Sequence, residues 1–121
     1  MKNSDLDNLI RTVEILRRVY KDMTLRQVQV LLLITKAGDA GLTGTQCIER
    51  CERMGIDMNK ATISRYMQHF SKAGIKNAGK RADVAGLDLC DFAIDPYDHK
   101  SKIMRVNANG RELLNNIFGD K

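Results

Sequence analysis

Apolar and polar positions follow two periods along this chain, about 3.6 residues over most of its length and about 2 near its last quarter. Leu6, Leu9, Ile10, Val13, Leu16, Tyr20 and Met23 form one stripe at helical spacing, and Ile15 and Val19 widen it. Ser4 stands where a cap belongs, with Asp5 and Asp7 placed well for the helix dipole. The spacing predicts an N-terminal helical segment over 4–22, its helix reaching about Lys21. Arg11, Arg17, Arg18 and Lys21 take the remaining, solvated face. A single stripe can be covered by the chain's own core, whereas the wider one predicts packing on another subunit.

Thr24 and Gln27 read as a capping box, in which each side chain satisfies the other residue's backbone donor. The run Val28–Ile34 that follows is apolar nearly all round, so its helix is expected at the buried centre. Gly38 and Gly41 interrupt the chain after it. A second box at Thr43 and Gln46 opens a helix carrying Cys47, Ile48, Cys51 and Met54, with Gly55 in the position that ends it.

Only Ile56, Asp57 and Met58 separate Gly55 from Asn59, the expected cap of the next helix. Over Asp57–Gly74, Ile63, Met67 and Phe70 make an apolar stripe. Lys60, Thr62, Ser64, Arg65, Gln68, His69 and Lys72 make a polar, cationic face without a carboxylate. Gly74 is expected to end this helix. A polar basic face alone is equally that of an ordinary solvated surface helix. Two capped helices joined by a short Gly-containing turn over 43–74 are the parts of a helix-turn-helix.

After Gly74 the segment IKNAGKRADVAG has little periodicity and reads as a loop over 75–86, with Lys76, Lys80 and Arg81. Leu87–Ile94 is rich in strand formers, and its alternation slips at Leu89 and Cys90, which predicts a bulge there. DPYDHK is a turn with the single proline, Pro96, suited to a type I turn. Ser101–Val106 is a second strand. The hairpin over 87–106, directly after a helix-turn-helix, reads as a wing. Asn107 then caps a closing helix over 107–118, whose apolar side is Leu113, Leu114, Ile117 and Phe118. The fold class is therefore mainly α with a small β-hairpin wing, a winged helix-turn-helix within one domain over 1–121.

Composition narrows the partners. The 121 residues are 43% hydrophobic and 29% charged, as in a globular domain rather than a disordered chain. The formal net charge of +5 suits a polyanionic partner. No apolar run approaches the ~20 residues that span a bilayer. The start MKNSDLDNLI lacks the basic-then-apolar order of a secretory signal, so a cytoplasmic location is expected. The three cysteines, Cys47, Cys51 and Cys90, include no CxxC pair, so neither a disulfide framework nor a zinc site is expected. Burial is the expectation for them, with a redox-active thiol as the narrower alternative. There is no Gly-rich phosphate loop, no nucleophile with a placed base and no metal cluster. An enzyme is not expected, and no cofactor.

The order of elements resembles the MarR family of winged-helix transcriptional regulators. Asp95, Pro96, Asp98 and Lys100, then Val106, Asn107 and Gly110, match the spacing of the family's wing signature D-P-x-D-x-R followed by L-T-x-x-G. Thr62, Ile63, Ser64 and Arg65 match T-V-[TS]-R, and Met23, Thr24 and Gln27 match L-T-x-x-Q. Lys100 departs from the family's arginine, keeping the charge while losing the planar fork. About a dozen residues are added between Gly74 and Asp95, and the closing helix ends early for a family with longer C-terminal dimerisation helices.

The resemblance implies a sequence-specific double-stranded DNA-binding regulator of transcription. It would bind a pseudo-palindromic operator as a homodimer formed through N-terminal and C-terminal helices. It also implies a small-molecule effector, on which the residues themselves do not bear. Lys60, Thr62, Ser64, Arg65, Gln68 and His69 are the expected major-groove face, with Arg65 the candidate for a bidentate contact to guanine. Thr43, Thr45 and Gln46 are candidates for phosphate contacts, and Asn59 mainly a cap that also nears phosphate. His99, Lys100 and Lys102 would bring the wing to the minor groove or flanking backbone. Asp95 and Asp98 are expected to shape the turn. A winged helix serving as a protein-binding module of a replication or transcription complex remains the alternative.

Overall fold

A computed structural model describes residues 2–19, 23–76 and 82–118, without the side chains of Val19, His99, Lys100, Ile117 and Phe118. The helices are α1 (Asn3–Val19), α2 (Leu25–Ala37), α3 (Gly44–Arg53), α4 (Lys60–Phe70) and α5 (Ala108–Phe118). A single 3-10 turn (Gly38–Ala40) follows α2, and strands β1 (Cys90–Asp95) and β2 (Asp98–Val106) precede α5. This is the expected winged helix-turn-helix.

Both capping boxes form. Thr24 Oγ1 accepts from Gln27 N at 3.1 Å while Gln27 Oε1 accepts from Thr24 N at 2.9 Å. Thr43 and Gln46 repeat the exchange at 3.2 and 2.9 Å. α1 begins at Asn3, so Ser4 lies inside it, and Asp5 accepts from the Lys2 backbone N–H. Its expected end at Lys21, with Tyr20, falls outside the described residues.

Val30, Leu31 and Ile34 of α2 are buried at the centre, as the near-continuous apolar run predicted. Around them pack Cys47 and Cys51 of α3, Ile63, Met67 and Phe70 of α4, Cys90 and Met104 of the hairpin, and Leu113 of α5. A Cβ on Gly41 would lie 2.6 Å from Met104 O, so only glycine lets the chain after α2 run this close to β2. Leu42 then exchanges two backbone hydrogen bonds with Met104, at 3.0 and 2.8 Å. The wing is thereby joined to the link between α2 and α3.

Three expectations are corrected by contacts distant in sequence. α4 stops at Phe70, not Gly74. Its final carbonyls are taken by the segment before β1: Leu87 N donates to His69 O and Leu89 N to Phe70 O, both at 2.8 Å. These bonds satisfy the helix end before a glycine is needed. Gly74 instead follows in the turn, with φ 74°. Next, the segment after Gly74 is not wholly loop, because Ile75 and Val84 pair through backbone bonds of 2.9 and 2.8 Å. Lys80 and Arg81 lie outside the described residues. Finally, Leu89 lies ahead of β1, the register is regular from Cys90 to Ile94, and it slips between Ile94 and Asp95, at the tip. The irregularity before β1 is at Asp88, whose φ is 54°.

The base of the wing is clamped to α5. Asn107 caps α5 by accepting from Gly110 N at 3.0 Å. Its amide nitrogen donates to Asp88 Oδ1 at 3.0 Å, and the Asn109 amide donates to Asp88 Oδ2 at 3.0 Å. Asp88 therefore holds an unfavourable left-handed backbone in exchange for two side-chain hydrogen bonds across 19 and 21 residues of sequence.

Candidate nucleic-acid interface

The helix-turn-helix is built as its residues dictate. Gly55 N–H donates to Glu52 O at 3.0 Å and Ile56 N–H to Cys51 O at 2.8 Å, closing the end of α3. Gly55 itself has φ 74°, a conformation that favours glycine at the turn. Asn59 Oδ1 accepts from Thr62 N at 2.8 Å and starts α4. Ile63, Met67 and Phe70 anchor the inner side of α4, and Lys60, Ser64, Arg65 and Gln68 face outward from it.

Those outward residues and Thr62 divide into three rows. Lys60, Ser64 and Gln68 line a cleft of about 490 Å³ that opens between α4, the start of α3 and the wing. Gly44 and Thr45 close it on the α3 side, and Phe92, Asp98, Ser101 and Lys102 on the wing side. Its floor is Ile63 and Met67. Arg65 projects from the exposed outer row. Thr62 faces the other flank, in a recess of about 200 Å³ shared with Arg26, Asp57, Asn59 and Tyr66.

Lys102 Nζ sits 5.3 Å from the centre of the Phe92 ring, within cation–π range, so its charge is held at the mouth of the cleft. Asp95 Oδ1 accepts from Tyr97 N at 2.9 Å and Asp98 Oδ2 from Ser101 Oγ at 2.9 Å. The two carboxylates thus organise the wing tip, although Asp98 also borders the cleft. Tyr97 at that tip is 96% exposed.

The expected contact residues separate accordingly. Thr45, Lys60, Ser64, Gln68 and Lys102 converge on one cleft, with Arg65 beside it. Gln46 is exposed but its side-chain oxygen is committed to the capping box. Thr43 is buried and its hydroxyl caps α3, so it is not presented to a phosphate. His69 is a correction: it is 9% exposed, and its Nδ1 lies 2.8 Å from Gln27 Nε2, against α2 rather than on the outer face. The side chains of His99 and Lys100 lie outside the described ones. Arg26, Phe92 and Ser101 were missed, because each lies on an element that only the tertiary fold brings beside α4.

The three thiols are buried. Burial pushes Cys47 and Cys90 up to about 12 and raises Cys51. Protonated, covered thiols are poor nucleophiles and poor ligands. Among the described residues no three His, Cys, Asp or Glu side chains are grouped to hold a metal ion. No described helix is long and apolar enough to cross a membrane.

No family model matches the sequence. No curated protein matches it. Solved structures do share its backbone. The chain is similar to S. aureus MepR, seen in a complex with DNA, at a TM-score of 0.64 and 15% identity over 94% of this chain and 77% of that one. It is similar to MarR at a TM-score of 0.53 and 18% identity, over 94% of this chain and 66% of the other. The chain thus has a MarR-like winged-helix fold, the one its sequence resemblance implied.

Proposed function

We propose that the protein is a sequence-specific double-stranded DNA-binding regulator of transcription. The observation that carries this reading is the cleft between α4 and the wing. Lys60, Ser64, Gln68 and Thr45 present donors and acceptors along one wall, and Lys102 presents a fixed cation on the other. That is the arrangement a major groove and its phosphate edge require of a recognition helix with a wing. The likeness to MepR, whose structure is a DNA complex, supports it. Arg65 on the outer row would reach guanine O6 and N7, while Thr45 and Lys102 would meet phosphates and set the register.

The reading includes a homodimer. Leu6, Leu9, Ile10 and Val13 of α1 are 44%, 59%, 67% and 49% exposed, a contiguous apolar row left uncovered by the single chain. α1 and α5 lie against each other, so a second copy covering that row would join N-terminal and C-terminal helices. A two-fold dimer would read a pseudo-palindrome with half-sites about one helical turn apart.

Titrating a random-sequence duplex at several salt concentrations tests the polyanion contact. Affinity should fall steeply with salt, and Lys102→Ala should flatten the logarithmic slope by about one unit. A slope near zero would favour a protein-binding winged helix instead.

A further inference from the structure

Gln27 and His69 are 42 residues apart in sequence, are 6% and 9% exposed, and meet between the first turn of α2 and the last turn of α4. Gln27 has one carbonyl oxygen and one NH2 group. The oxygen is already assigned, because it accepts from the Thr24 backbone N–H at 2.9 Å. A backbone N–H can only donate, so the amide cannot be turned round without breaking the capping box. Its NH2 group therefore points at His69 Nδ1, 2.8 Å away. An NH2 group only donates, so Nδ1 must offer a lone pair. The imidazole is then neutral with its proton on Nε2.

We propose that His69 is a positioning residue of the recognition helix, held as the neutral Nε2–H tautomer by Gln27. The apolar contacts of Ile63, Met67 and Phe70 fix how close α4 comes to the core but are non-directional. A directional bond at the last turn is what sets the rotation of α4 about its own axis. That rotation decides whether Lys60, Ser64 and Gln68 face the cleft. The backbone carbonyl of His69 meanwhile accepts from Leu87 N at 2.8 Å, on the segment that leads into the wing. One residue thus references the recognition helix to both the central helix and the wing. The consequence for affinity rests on the DNA-binding reading, while the tautomer does not.

Nitrogen NMR of the free full-length chain, labelled at its histidines, tests the bond. His69 should show an unprotonated Nδ1 and a protonated Nε2 at pH 7, and a protonated Nδ1 would overturn the proposal. Gln27→Glu keeps an oxygen for Thr24 N–H but replaces the donor with an acceptor, so Nδ1 should become protonated. An unchanged nitrogen spectrum in this variant would also overturn it.

The positioning role is read on the duplexes that the wild-type chain enriches from a random pool. Gln27→Met, similar in length and without the amide, should bind them about tenfold more weakly. Thr24→Ala removes a cap but leaves the Thr24 N–H to Gln27 bond in place, so it should bind within about twofold of wild type. Equal affinities for Gln27→Met and wild type, alongside a loss in Arg65→Ala, would refute the positioning role and leave the DNA reading standing. Unchanged affinity in Arg65→Ala as well would count against the DNA reading, and the tautomer would then decide the Gln27 bond by itself.

Discussion

Arg65 and His69 stand one turn apart on α4 and meet opposite surroundings. A helical wheel places them on the same side, which is why the sequence assigns both to the polar face. The fold separates them because the His69 side chain meets Gln27 of α2, while Leu87 and Leu89 bond to the carbonyls of that last turn. Nothing within α4 itself signals those contacts, so the burial of His69 was not legible, whereas the exposure of Lys60, Ser64 and Arg65 was. Arg65→Ala should therefore leave the urea midpoint almost unchanged, as exposed substitutions do. It should relax one operator position by ~1–3 kcal/mol, read from competition between duplexes that differ at single base pairs. The thiols give a second expectation at this scale. Their folded pKa lies above the ordinary value of 9.0, at about 12 for Cys47 and Cys90. Their contribution to stability is thus complete below pH 9 and is lost as pH rises towards 12. A disulfide reagent at pH 8 should label none of the three until urea unfolds the chain, and rapid labelling of the native protein would contradict their burial.

Among the elements, those set by local signals are legible in the sequence and those set by long-range contacts are not. The capping boxes at Thr24 and Thr43, the cap at Asn59 and the turn at Gly55 each depend on residues within four positions. All of them form as the sequence indicates. The bridges Leu42–Met104 and Ile75–Val84 join residues whose propensities say nothing of one another, and both were missed. Asp88 belongs with them. Its left-handed backbone and two amide partners fix the base of the wing against α5, and no local pattern announces an aspartate there as structural. Asp88→Ala loses both hydrogen bonds while keeping an unfavourable φ, and should cost ~1–3 kcal/mol in urea unfolding. Asp88→Asn retains an acceptor and tolerates the backbone, so its loss should be clearly smaller. Equal losses in the two variants would mean that the hydrogen bonds contribute little.

At the scale of the whole molecule, the width of the apolar stripe on α1 already predicted a surface that one copy cannot cover. The fold agrees in leaving Leu9 and Ile10 well exposed. Their placement makes a clean test of assembly, since replacing both with glutamate removes little from the core of a single chain. On the proposed dimer, the wild type should sediment as a dimer, and the double variant should keep its helical circular dichroism and sediment as a monomer. Dimers that survive the change would place the interface elsewhere. The wing, in contrast, was legible as a hairpin but not as a wall of the cleft. Phe92 and Lys102 acquire that role only through the clamp at Asp88 and the bridge at Leu42, which bring β1 and β2 beside α4.

On the proposed function, the face formed by α4 and the wing reads double-stranded DNA. Repeated selection from random duplexes with the full chain tests it most directly. A pseudo-palindrome with half-sites about one helical turn apart should be enriched, and preference at one position in each half should be lost when Arg65→Ala is used. A pool that remains random after selection, bound no better than at the start, would contradict it.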